Sequence, residues 1–179
     1  MRILMKSLSL YYLKTLILLT LSITTVYAQN SKVKEPTAPA GAAKPEVTID
    51  DIYKALLKNP PSFETAKVSL GNKLITVDIA DTLIRQTFGL MGRKSLPKDT
   101  GMLFLFKKPI PICFWMKETL LSLSVGFLDE EGILIAYEDM EPLSETEHCS
   151  KKPVKYVLEI TQGWFEENNI TLGEQLTAE

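Results

Sequence analysis

From Val68 onward the chain is a succession of short β-rich apolar runs, each closed by glycine, proline or acidic turn residues, and this pattern limits the fold more than any other feature. Val68-Ser69-Leu70 and Lys73 to Ile79 flank Gly71-Asn72 and read as a hairpin. Leu123 to Asp129 and Ile133 to Met140 flank Glu130-Glu131-Gly132 in the same way. Met102–Phe106 and Ile112–Lys117 read as strands separated by Lys107-Lys108-Pro109-Ile110-Pro111, whose prolines interrupt a ladder. Val154 to Thr161 places Tyr156, Leu158 and Ile160 on one face and Val157 and Glu159 on the other. Strands recurring at roughly 8–12-residue spacing predict a mainly β fold, a compact antiparallel sandwich or barrel with small peripheral helices. Asp81-Thr82 supplies an N-cap for a helix through about Leu90, Gly163–Asn169 forms another, and a short strand near Gln175-Leu176 closes the chain. Glu141 to Pro153 reads as a polar loop.

The region before these strands has a different character. Arg2, Lys6 and Lys14 precede an apolar run from Thr15 to Val26, and Val26-Tyr27-Ala28 puts small residues at the cleavage positions. This predicts a signal peptide over residues 1–28, cut after Ala28. The alternative is an uncleaved anchor, but the clean apolar core of about a dozen residues falls short of the roughly 20 that span a bilayer. Residues 29–46 are rich in Pro, Ala and Lys and read as a flexible linker. Residues 47–66 hold a short helix and lead-in, with Ile49, Ile52, Tyr53, Leu56 and Leu57 at helical spacing and Asn59-Pro60-Pro61 as its stop. The helix either packs on the domain or meets a partner. Residues 67–179 are left as the β domain.

Loss of the leader removes three basic residues and no acid, taking the formal charge from −2 to −5. An acidic domain destined for the periplasm or for secretion is a poor nucleic-acid binder, because that binding rests on clustered Lys and Arg. It would meet the membrane only through an uncleaved leader. The two cysteines, Cys113 and Cys149, would enter an oxidising compartment, where a disulfide persists. They pair, or else stay as one buried and one exposed thiol.

The chemistry-bearing residues gather where cations sit among aromatics and methionines. Arg93 follows Phe88-Gly89-Leu90-Met91-Gly92, and Lys117 ends Phe114-Trp115-Met116-Lys117. Such cations must be paired or solvated. They either line a cleft for an anion, with Trp115 and Met116 as apolar walls, or pair with Asp81, Asp129 or Glu118 to fix the rim. Read as a strand, residues 113–118 put Trp115 beside Lys117 and send Phe114 and Met116 to the core; Trp115 as core is the alternative. His148-Cys149 lacks the geometry of a nucleophile and base, since neighbours in extended chain point apart. One histidine and scattered carboxylates, including Asp139, Glu141, Glu145 and Glu147, give no zinc or calcium spacing. With no P-loop, GxGxxG or GxSxG, neither metal nor cofactor is expected.

The order Gly89-Leu90-Met91-x-Arg93, Leu96-Pro97, Gly101-Met102-Leu103-Phe104-x-Phe106, Phe114-Trp115-Met116-Lys117, then a strand ending in Asp129 and Gly132, resembles a widespread prokaryotic family known as domain of unknown function 192. The resemblance covers roughly Val68 to Leu176 and implies a mainly β domain and a candidate surface rather than a mechanism. The family usually continues the Trp-Met-Lys motif with Asn-Thr and, a few residues on, Pro-x-Asp. This chain has Glu118-Thr119, Ser122 and Ser124 instead, and Phe88 where the family often has a basic or polar residue. These departures weaken the carry-over of a polar site. The leading expectation is an exported, non-catalytic binding module for a small anionic ligand, an envelope glycan or a protein partner, at Arg93, Trp115, Lys117 and Glu118. A small hydrolase or lyase using Glu118 with Arg93 as charge stabiliser, and a purely structural envelope protein, are the alternatives.

Overall fold

The computed structural model describes residues 48–179. The predicted leader (1–28) and linker (29–46) lie outside the described residues. The chain forms α1 (Ile49–Lys58), β1 (Glu64–Leu70), β2 (Lys73–Ala80), α2 (Leu83–Phe88), β3 (Thr100–Ile110), β4 (Cys113–Phe114), β5 (Leu123–Leu128), β6 (Leu134–Met140), β7 (His148–Cys149), β8 (Val154–Thr161), α3 (Trp164–Glu167) and β9 (Leu176–Ala178). Among the described residues no helix is long and apolar enough to cross a membrane.

Seven strands make one curled sheet, a half-barrel in the order β6-β5-β8-β3-β2-β1-β9, and β4 with β7 makes a separate ribbon. The mainly β class with small helices is therefore as expected. All strand pairs are antiparallel except β2 and β3, which run parallel with Asp78 opposite Met102. The connection between them is long enough to hold α2, as a parallel crossover requires. The curl brings the two ends of the sheet together: the Leu134 N–H donates to the Glu174 carbonyl at 2.8 Å, and the Leu176 N–H to the Gly132 carbonyl at 2.9 Å.

Several elements differ from the sequence reading: β1 begins at Glu64, inside the expected lead-in and ahead of Val68, and the expected Glu141–Pro153 loop carries the short strand β7. α2 stops at Phe88 rather than near Leu90, because Gly89 leaves the helix with φ 53°. Its start is as read, with the Thr82 hydroxyl accepting from the Arg85 N–H. β3 runs on through Pro109; its register against β8 shifts between Leu105 and Ile110, and the proline lies in that irregular stretch. The Trp-Met-Lys segment is not a strand beyond Phe114. It turns, with the Thr119 N–H donating to the Met116 carbonyl at 3.0 Å and Glu118 in the left-handed region at φ 58°. The Glu141–Pro153 loop supplies the other side of that turn: the Met116 N–H bonds the Ser144 carbonyl and the Leu143 N–H the Thr119 carbonyl.

Each face of the sheet carries its own core. One holds Leu70, Ile75, Val77, Leu103, Leu158 and Ile160, closed by Trp164 and Phe165 of α3. The other holds Met102, Phe104, Val125, Phe127 and Val157, roofed by Leu90, Ile112, Phe114 and Met116. Thus the motif segments cover the second face, and α1 lies against them through Tyr53, which is buried with Phe88 and Met91.

Candidate functional site

Arg93 leaves the turn after α2. Gly92, at φ 71°, donates its N–H to the Glu118 carbonyl at 3.0 Å, and so ties the two motif segments together. The Arg93 guanidinium forms an ion pair with Asp78 of β2 through one terminal nitrogen and lies 5.8 Å from the centre of the Phe63 ring. Its remaining guanidinium N–H groups meet no acceptor among the described residues. Beside it opens a pocket of about 290 Å³, lined by Leu57, Pro60, Phe63, Phe88, Met91 and Arg93. A small apolar pocket with one forked cation at its wall suits a compact anion bearing an apolar body.

Lys117 has another setting. Its ammonium contacts Asp50 of α1 at 3.0 Å and Glu145 at 4.0 Å, and sits 5.8 Å from the centre of the Tyr53 ring. Trp115 is buried, and Glu118 is exposed on its turn. Lys117, Trp115 and Glu118 do not line the Arg93 pocket. The four expected residues are therefore linked through the backbone, not gathered around one cleft. Both cations are paired, but Asp81, Asp129 and Glu118 are not the partners. Asp81 binds Arg85 at 2.8 Å, and that bond holds its carboxyl below the ordinary range. Asp129 accepts from the N–H groups of Glu131 and Ile133 in its own turn.

Cys113 and Cys149 face each other across the β4–β7 ribbon and form a disulfide. They are also two members of the one acidic or thiol cluster of metal-ligating geometry among the described residues, with Glu147. With both sulfurs bonded to each other, that cluster offers no thiolate ligand. His148 bonds Glu138 through Nδ1 at 2.9 Å, so the His148-Cys149 pair is structural. The acidic loop is dispersed as well, Asp139 to Ser124 and Glu141 to Gln162.

Sequence reading missed Glu159. It lies fully buried in the central strand β8, between Met102 of β3 and Val125 of β5, with neither carboxylate oxygen hydrogen-bonded. Register places Glu138, Val125, Glu159, Met102 and Asp78 in one row across the same face. The outer two acids have His148 and Arg93. The middle one has only apolar neighbours, and burial pushes its carboxyl up to about 8. No local signal marked it: the face of β8 that carries Glu159 also carries Lys155 and Thr161, a pattern that reads as solvent-facing. Tyr53 stood out as part of the apolar stripe of α1, but nothing local linked Asp50 to Lys117 or Asp78 to Arg93.

A curled half-barrel sheet with a ribbon and three short helices is the class this architecture defines. Residues 66–178 match the DUF192 family, described as an uncharacterized ACR, and the chain belongs to that family. α1 lies before the matched region. Two solved structures share the fold. A candidate transcription regulator from Sinorhizobium meliloti 1021 is 31% identical at TM-score 0.64, with 67% of this chain and 98% of that one covered. A protein of unknown function from Novosphingobium aromaticivorans DSM 12444 is 25% identical at TM-score 0.62, with 66% of this chain and 88% of that one covered. No curated protein matches the chain.

Proposed function

We propose that this chain is an exported, non-catalytic binding module whose pocket beside Arg93 takes a small carboxylate with an apolar body. The observation that carries the reading is the guanidinium at the pocket wall: one arm holds Asp78, and the other donors have no acceptor among the described residues. Phe63, Phe88 and Met91 supply the apolar enclosure. Glu118 favours binding over turnover, because its carbonyl, not its carboxylate, engages the motif. The periplasm or the extracellular space is the proposed location, supported by the leader-like N-terminus and by a disulfide that an oxidising compartment would maintain.

The test is a thermal-shift and titration series on the processed chain, residues 29–179, with benzoate and hexanoate as probes. A ligand at about 100 times its Kd stabilises the fold by roughly 2.7 kcal/mol. The expected result is a shift in the parent that Arg93→Lys, which keeps the charge but loses the fork, abolishes. An equal shift in Arg93→Lys, or none in the parent, would reject the pocket.

A further inference from the structure

β6 is an outer strand of the sheet. It is bonded along one side to β5, and on its other side Leu134 bonds Gly173 and Glu174. From Ile135 to Asp139 its outward backbone groups bond to nothing among the described residues, and Met140 beyond them is fully buried. Exposed edges of this kind are templates for another strand unless charge, proline or a covering element blocks them. Among the described residues no strand or helix covers this stretch, and it has no proline. Its two acids are each held by a neighbouring side chain, Glu138 by His148 and Asp139 by Ser124.

Alongside the edge lies a cavity of about 560 Å³. Ile135, Ala136, Tyr137 and Glu138 form one wall, and Cys149, Lys151 and Lys152 the other. Both lysines are exposed and have no ion-pair partner among the described residues. They place two positive charges beside a free edge, against the one acid, Glu138, that lines the same cavity, on a chain that is acidic overall. Main-chain bonds at the edge would give affinity, and the lysines would select charge.

We propose that the outer edge of β6 is a docking site for an extended acidic segment of a protein partner. The segment adds as a strand beside Ile135–Asp139 and sets a carboxylate against Lys151 and Lys152. Five residues of edge span about 17 Å, enough for a peptide of about the same length. This surface is separate from the Arg93 pocket, and neither depends on the other.

The probe is the acetylated, amidated hexapeptide Val-Asp-Val-Thr-Val-Asp, titrated into isotope-labelled chain 29–179 with amide exchange read residue by residue. Two controls accompany it: the same peptide with lysine in place of aspartate, and one N-methylated at alternate amides. The expected result is slowed exchange confined to the outward amides of Ile135–Asp139. The doubly reversed chain, Lys151→Glu with Lys152→Glu, should bind roughly tenfold more weakly, and neither control peptide should protect the edge. Because both lysines are exposed, the reversed chain should melt as the parent does. No protection of β6 at millimolar probe, protection by the lysine peptide equal to that by the acidic one, or unchanged affinity in the reversed chain would each overturn the proposal.

Discussion

Glu118 occupies a left-handed conformation, φ 58°, where a side chain with a Cβ and no local hydrogen bond is disfavoured. The family's usual asparagine at this position fits that backbone, since Asn tolerates the left-handed region better than glutamate. Glu118→Asn should therefore stabilise the domain by about 0.5–1 kcal/mol in chemical denaturation, with no change in the Arg93 pocket. Glu159 is the opposite case, a residue on unstrained strand backbone whose cost comes from burial. Folded, its carboxyl keeps the proton up to about 8; unfolded, it loses the proton near its ordinary value of 4.5. Between those two pH values the unfolded state binds fewer protons, so stability falls as pH rises, by roughly 1.4 kcal/mol per pH unit from this group alone. Glu159→Gln removes the titration. Denaturation curves at pH 5 to 8 should show the falling stability in the parent and a flatter profile in the variant, with a gain at pH 7 on the order of 3 kcal/mol. Identical slopes would mean that the carboxyl reaches water or a counter-charge.

At the scale of elements, the β4–β7 ribbon has only two residues in each strand, too few to hold by ladder bonds alone. Its disulfide closes a loop across a separation of 36 residues, and it anchors the motif turn to the segment before β8. The chain-entropy treatment gives about 3–4 kcal/mol for such a loop. Cys113→Ser with Cys149→Ser should lower stability by about that amount, and reduction of the parent should match it; denaturation with and without a reductant measures both. The β5–α3 contact is tighter. A Cβ on Gly126 would lie 2.6 Å from the Phe165 ring and 3.2 Å from Leu134, so the strand can pass under α3 only with glycine there. Gly126→Ala should destabilise by about 1–3 kcal/mol, an overpacking cost that Phe165→Leu should partly relieve in a double-mutant cycle.

Over the whole molecule, what could be read in advance was what neighbouring residues decide. The β5–β6 hairpin and β8 fall where alternation and turn residues put them, to within a residue or so. The Trp-Met-Lys turn was hidden because its geometry comes from bonds to Ser144 and Leu143, not from its own pattern. Both cations were noticed, but their acids lie 15 and 67 residues away, where no local spacing points. The same non-locality governs how the domain comes together. β1, the first strand, finds its outer partner only in β9, the last, with Val68 opposite Ala178. Such pairing must wait until nearly the entire chain is available, and long closures of this kind slow folding. The β1–β2 and β5–β6 hairpins can close as soon as each is made, so β9 acts as a latch, three residues long, on a sheet whose other pairs do not need it.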